Sequence, residues 1–464
     1  MIAWSTTIVV GALALLIVGA NWTGMLGAAK AWNDGEPRGF SPLPLIGGVL
    51  GALALASAPV ESVRDRFWLP AVLDPGTGLY VIIMTCAKLG GAWNEIGEKQ
   101  YRKAVVRDES AKGPLAHALT GSMLGTAIGD ALGLACEGLS PARQLRMFPS
   151  LERYGFLFGI GMISDDTEHT VMVAQALIES GGDEERFARN FAWRLKGWLL
   201  ALPAGIGMAT GRAIIKLLLF IPPKWSGVRS AGNGPAMRAA VLGVAFGGDI
   251  AKLRSLNRIS ARITHRDDRA EHGALSVAIA AHLSATAGAP ITAQGFAQTM
   301  SALLPADSAT LAAIHAVHAS LEQGQSAGDF VAGMGSKNGV SGYMLHTLPA
   351  VLHVWLRHQD DYRGGITEMI RLGGDADSTA AILGGIIGAR VGRAGLPPQL
   401  VARLIDWPRS KNMITKVAQR LAHVRLAGTR MREVRSFIFA TPLRNLLFLA
   451  VVLAHGFRRL LPPY

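Results

Sequence analysis

Cysteine is nearly absent from this chain: Cys86 and Cys136 are the only two in 464 residues. A disulfide framework is therefore excluded, and a reducing compartment suits the pair. Charge is also scarce. Charged residues make up 17% of the chain and hydrophobic ones 50%. Intrinsic disorder needs the opposite balance, and ordinary soluble domains carry about 25% charged residues. Acidic residues are the scarcer sign, 33 against 46 Lys and Arg, for a net charge of +13. That excess points to a polyanionic partner, either nucleic acid or the cytoplasmic face of a membrane. No aromatic-interleaved reader motif appears and the basic residues adjoin apolar runs, so the bilayer is expected and nucleic acid is not.

The apolar surplus sits first at the N-terminus. Met1 to Ala20 has no charged side chain, and a second uncharged stretch runs from Phe40 to Val60. At about 1.5 Å per residue each is long enough to cross a hydrocarbon core of about 30 Å. A third stretch, Phe67 to Gly90, is interrupted by Asp74, Pro75 and Lys88. Two or three transmembrane helices are expected over residues 1–92, followed by a basic linker over 93–114. Lys99, Arg102, Lys103, Arg107 and Lys112 follow the third stretch, whereas the earlier loops hold fewer cations. This bias places the remainder at the cytoplasmic face of the inner membrane. The tail, residues 425–464, carries Arg425, Arg430, Arg432 and Arg435 before an apolar run from Asn445 to Phe457. Thirteen or so residues are short for a span, so a basic helix lying on an anionic leaflet is expected. A C-terminal helix packed on the soluble domain is the alternative.

Between about 115 and 424 the chain is Ala-rich, with apolar residues recurring at three and four spacing. Helices are predicted over Leu115–Ala135, Thr167–Glu179, Glu184–Leu199, Ala270–Ala287 and Thr379–Val391. Few runs alternate with period two, so the fold class is all-α with chemistry on the loops. Asp183, in Gly182-Asp183-Glu184-Glu185, reads as a helix cap, and Cys136 as core.

Three acidic clusters stand out. The first runs from Gly121 to Glu137; if it is helical throughout, Asp130 and Glu137 share a face. The second is Ser164-Asp165-Asp166-Thr167. The third is Gly373-Gly374-Asp375-Ala376-Asp377-Ser378. The last two each precede an apolar helical run. Capping explains one carboxylate at a helix start. Two crowded together are costly unless a cation neutralises them, and short Asp and Ser oxygens suit Mg²⁺. Spacing alone leaves capping and metal binding equally open. Ser230 to Pro235 is a Gly-rich turn entering a helix, which is either a plain turn or a phosphate cradle. Thr264-His265-Arg266-Asp267-Asp268 reads on its own as a surface charge run, and His169 leans towards a structural role.

Taken together and in order, these residues resemble the ADP-ribosylglycohydrolase family. Gly129-Asp130-Ala131-Leu132-Gly133 with Glu137 is similar to the family's opening motif, and Ser164-Asp165-Asp166-Thr167 to its metal motif. Gly232-Asn233-Gly234 with Met237-Arg238, Thr264-His265, Ser341-Gly342-Tyr343 and the third acidic cluster complete the set. The resemblance covers about residues 115–424. It implies an all-α domain, here preceded by transmembrane helices, and a central pair of Mg²⁺ ions, with Mn²⁺ as a substitute. It also implies metal ligation by Ser164, Asp165, Asp166, Asp375, Asp377 and Ser378, and proton transfer by Glu137 and Asp375. Gly232, Asn233 and Gly234 would lie near the diphosphate, and Gly342 and Tyr343 would line the ADP-ribose cleft. The implied activity is Mg²⁺-dependent hydrolysis of ADP-ribose from modified proteins or related conjugates, which the N-terminal apolar stretches would anchor at a membrane. The alternative is a non-catalytic ADP-ribose-binding or toxin-immunity protein. The membrane module, the basic tail and the apolar region from Gly197 to Pro223 are not explained by the resemblance. That last region forms either part of the cleft or a second membrane contact.

Overall fold

A computed structural model describes residues 113–335, 338–434 and 440–462. The expected membrane module, residues 1–92, and nearly all of the basic linker lie outside the described residues. Those described form helices joined by loops, with no strand among them. Five isolated β-bridges fasten the loops.

Among the described residues thirteen helices have ten residues or more: α1 (Gly113–Gly133), α2 (Asp165–Ser180), α3 (Glu184–Leu200), α4 (Met208–Leu218), α5 (Ile250–Arg262), α6 (Asp268–Thr286), α7 (Ala293–Leu303), α8 (Ala309–Glu322), α9 (Met344–Arg357), α10 (Tyr362–Arg371), α11 (Ala376–Val391), α12 (Lys411–Ala427) and α13 (Ala440–Arg458). The predicted helices are found within a few residues of their expected ends. Asp183 caps α3 by accepting a bond from the Arg186 amide, and Cys136 is fully buried.

The centre of the domain is the antiparallel pair α1 and α11. Gly121, Gly125, Gly129 and Gly133 recur every fourth residue and so form one stripe along α1. A β-carbon on them would lie 2.1, 2.2, 2.1 and 2.4 Å from the carbonyl oxygens of Gly388, Gly384, Ala380 and Ala376 on α11. Only hydrogen fits there, so the two backbones touch directly. The stretch Gly113–Cys136 is long and apolar enough to cross a membrane, yet its apolar window is wholly buried in this domain. It is a core helix.

One expectation within the first acidic cluster is corrected. Asp130 and Glu137 do not share a helix face. The α-helix stops at Gly133, a 3-10 turn covers Leu134–Cys136, and Glu137 is extended at φ −51° and ψ 132°. Asp130 therefore points into the core while Glu137 sits at the surface.

The tail adopts the packed alternative on one side. Phe448 of α13 is buried in a small cluster with Leu134, Ala135, Phe156 and Met162. The Arg444 guanidinium is buried and pairs with Asp406 and Glu168. The opposite side of α13 is exposed.

Candidate active site

Close contact between α1 and α11 fixes what lies at one end of the pair: the last turn of α1 with Asp130, and the first turn of α11 with Asp375, Asp377 and Ser378. The N-terminus of α2 joins them through Asp130. That carboxylate, fully buried, accepts the Ser164 amide at 2.9 Å and the Thr167 amide at 3.2 Å, and also the Thr167 hydroxyl. The free N–H groups of a helix start and its positive dipole end favour such an anion. Asp130 is thus a clamp that holds the Ser164–Thr167 loop against α1. Burial pushes its carboxyl up to about 6, against the pull of those hydrogen bonds.

Across that clamp the second and third acidic clusters meet. Ser378 Oγ donates to Asp166 Oδ2 at 3.1 Å, bridging 212 residues of sequence, and Ser164 Oγ lies 3.2 Å from the same oxygen. Asp166 Oδ1 and Asp377 Oδ1 are buried with no hydrogen-bond partner. Burial and neighbouring carboxylates hold Asp166 and Asp377 well above the usual range. Asp165 is pushed up to about 7, first by burial and then by Asp130. Buried carboxylate oxygens without donors are costly. A hard cation relieves both the orphaned atoms and the mutual repulsion. Among the described residues no three His, Cys, Asp or Glu side chains are close enough to cage an ion by themselves. The donor set that fits one is therefore mixed: Asp oxygens, the Ser164 and Ser378 hydroxyls, and water.

The GNG turn stands opposite. Asn233 Nδ2 donates to Asp375 Oδ2 at 2.7 Å and to Thr347 Oγ1 at 3.2 Å. Its backbone amide bonds to the Gly342 carbonyl at 2.9 Å, and Gly232 bridges Tyr343. A β-carbon on Gly342 would lie 3.0 Å from Asp375 Oδ2. Glycine there leaves room for the carboxylate and for whatever binds above it. The Tyr343 hydroxyl accepts from Arg269 at 2.8 Å. Beside it opens a cavity of about 520 Å³ lined by Arg229, Arg262, Arg266, Asp267, Asp268 and Arg269.

The sequence expectation for the Thr264–His265 run, a surface charge cluster, fits only its second half. Thr264 and His265 are buried beneath the GNG turn. Arg238, wholly buried, donates to Ser260, to Thr264 Oγ1 at 2.7 Å and to His169 Nδ1 at 3.0 Å. His169 accepts that bond, so its proton sits on Nε2. Burial, and then Arg238 itself, lowers both His169 and His265, so the pair stays neutral under an arginine.

Glu137 is exposed, and its backbone carbonyl accepts a bond from Arg459 at 2.6 Å. The protein packed around its carboxyl raises it above the usual range, Asp375 adds to the effect and Arg459 opposes it. The structure thus brings Ser164, Asp166, Asp375, Asp377 and Ser378 together, with Asp165 beside them and Asn233 and Gly342 at Asp375. Sequence reasoning gave no role to Asp130. The buried cluster behind α2, in which Glu168 pairs with Arg409 and Arg444 and accepts Trp198 Nε1, was also missed.

The helix ends of this all-α domain converge on a buried carboxylate set suited to a hard cation and to proton transfer. Comparison with known proteins makes this particular. The ADP-ribosylglycohydrolase family model matches residues 112–430, and the chain belongs to that family. It is 27% identical to the ADP-ribosyl-[dinitrogen reductase] glycohydrolase of Rhodospirillum rubrum, over 63% of this chain and 92% of that protein. It is also 27% identical to the ADP-ribosylhydrolase ARH3 of Gallus gallus, over 60% and 86% respectively. Among solved structures, an "ADP-ribosylglycohydrolase-related protein complex" covers 67% of this chain and 98% of its own, at 25% identity and a TM-score of 0.50. The expected family, all-α fold and enzyme class stand.

Proposed function

We propose that this chain is a membrane-anchored, Mg²⁺-dependent hydrolase that removes ADP-ribose from modified proteins or related conjugates, with its catalytic domain facing the cytoplasm. The observation that carries the reading is the meeting of two distant acidic motifs around buried, unpartnered oxygens of Asp166 and Asp377. Ser164, Asp165, Asp166, Asp375, Asp377 and Ser378 would hold the metal. A bound cation would offset their charge, orient the ribose hydroxyls and polarise the scissile bond. Asn233 fixes one oxygen of Asp375, leaving the other for substrate or proton transfer. Glu137, exposed and with a raised carboxyl, would give a proton to the departing acceptor or take one from water. The GNG turn and Tyr343 receive the diphosphate end, beside the arginine-lined cavity. The names of the two relatives supply the substrate class. Anchoring rests on the uncharged N-terminal stretches and the cations that follow them.

The test is release of free ADP-ribose by the detergent-solubilised full chain, from ADP-ribosylated Arg and Ser peptides, with Mg²⁺ or EDTA. Mg²⁺-dependent release that falls at least about 100-fold in Asp375→Ala is expected. ADP-ribose binding without release from any conjugate would replace hydrolysis with a binding role.

A further inference from the structure

Two stretches far apart in sequence expose large apolar side chains and adjoin each other. On α3, Trp193 and Leu200 are seven residues apart and so lie on one side of the helix; they are 72% and 69% exposed. On α4, the side carrying Met208 and Ile215 is turned outward, as is Leu219 just past its end, while Ala213, Ile214 and Leu217 form its inner side. Phe220 ends this run at 90% exposure. The third contributor is α13, which exposes Leu446, Leu453 and Phe457. The two stretches meet where Asn445 Nδ2 donates to the Ala201 carbonyl at 2.7 Å, and where Ala204 packs on the cluster that buries Phe448. Isolated exposed apolar residues are ordinary; this many on adjoining elements mark an interaction surface.

Its charge pattern selects the partner. No Asp or Glu occurs between Glu185 and Asp249, and none follows Glu433. The cations nearby stand beside aromatic rings: Lys196 Nζ is 5.0 Å from the Trp193 ring and Lys224 Nζ 4.1 Å from the Trp225 ring. Tryptophan paired with lysine at the rim of an apolar surface suits a bilayer interface. There the ring sits at headgroup depth and the ammonium reaches lipid phosphate.

We infer that the α3–α4 segment and the outer side of α13 form a docking face by which the catalytic domain lies on an anionic phospholipid bilayer. The face is an additional contact, distinct from any span in residues 1–92, and it holds whatever conjugate the active site takes. The α13 helix serves two surfaces at once: its inner side reaches Glu168 and Ala135, with Arg459 just past its end bonding Glu137, and its outer side meets lipid.

The test uses the full chain in vesicles of phosphatidylcholine and phosphatidylglycerol, in a Cys86→Ser background; Cys136 is buried and its thiol is pushed up to about 11, so it stays unlabelled. Nitroxides are attached at Phe220→Cys, at Leu453→Cys and, as an aqueous control, at Gln323→Cys. The expected result is that the labels at 220 and 453 collide more with oxygen than with a water-soluble nickel chelate, and that the control shows the reverse. Lys196→Glu with Lys224→Glu shifts the label at 220 towards water. Nickel access at either 220 or 453, with the chain still vesicle-bound, overturns the face and leaves the N-terminal anchor intact. Shielding from both reagents overturns it too, and assigns the face to protein, either this chain's own N-terminal part or a second copy.

Discussion

His353 is fully buried, its Nε2 3.2 Å from the Ser320 hydroxyl and its ring stacked on Phe330, with Nδ1 unpartnered. Burial and then Arg357 push it down to about 4, while an unfolded histidine titrates near 6.5. From pH 6.5 down to about 4 the unfolded chain takes up a proton that the folded chain refuses. The stabilising contribution of His353 is therefore complete above pH 6.5 and is lost on acidification. Asp130 and Asp165, raised to about 6 and about 7, act in the opposite sense over an overlapping range, so wild-type stability alone does not isolate the histidine. His353→Gln keeps a hydrogen-bonding group and removes the titration. The gap between wild-type and variant urea midpoints is expected to shift against wild type as the pH falls from neutral towards 5; a constant gap would refute it. Residue chemistry of this kind was partly legible in the sequence. Ser164–Asp165–Asp166 and Asp375–Asp377 announce themselves because the donors are contiguous. The Asp130 clamp and the Arg238–His169 pair do not, because their partners lie 34 and 69 residues away and depend on how the helices meet.

At the scale of elements, what sets that meeting is the glycine stripe of α1. A β-carbon on Gly129 would stand 2.1 Å from the Ala380 carbonyl, a backbone atom of a helix with no freedom to rotate aside. Gly129→Ala must push α1 and α11 apart, and overpacking of this kind costs about 1–3 kcal/mol. It also displaces the neighbouring Asp130, so hydrolysis should fall further than stability alone accounts for. Gly197 in α3 is the control: nothing lies within 4 Å of its β-position, so Gly197→Ala should be neutral or add up to about 1 kcal/mol. Equal urea midpoints for the two variants would mean that the helix contact tolerates a methyl group. The period of four was present in the sequence from Gly121 to Gly133, yet a stripe names no partner. Only the matching Ala376, Ala380, Gly384 and Gly388 spacing on α11 gives it one. The 3-10 turn that follows α1 was not legible for a similar reason: nothing local in Gly133-Leu134-Ala135-Cys136 forces the helix to tighten and stop before Glu137.

On the scale of the whole molecule, the family match ends at residue 430, while α13 begins at Ala440 and touches both sides of the site. On one side Arg444 bonds Asp406 and the Ile163 carbonyl, and Asp406 in turn accepts the Ile163 amide at 2.8 Å, just before the Ser164–Asp166 loop. On the other side His455 and Arg459 hold the Ala135 carbonyl, and Arg459 holds that of Glu137. Composition shows the tail as basic and apolar but cannot show which arginines face inward. These contacts separate two roles that a deletion would confuse. Arg444→Met strips a buried cation from Asp406 and leaves Glu168 with Arg409 alone; losing one partner of a buried pair costs about 3–5 kcal/mol. Arg459 is only half-buried and bonds backbone carbonyls rather than a buried carboxylate, so Arg459→Ala should lower the urea midpoint less than Arg444→Met does. It frees the turn that carries Glu137, however, and the proton transfer proposed for that carboxyl would depend on its placement. The expected outcome is a lower kcat with KM little altered and a pH profile that moves, because Arg459 opposes the upward shift of Glu137. Removing that opposing cation raises the Glu137 carboxyl further, so the limb of the profile that reports it shifts to higher pH. An unchanged kcat and profile would make α13 a strap that stabilises the domain without acting on the catalytic turn.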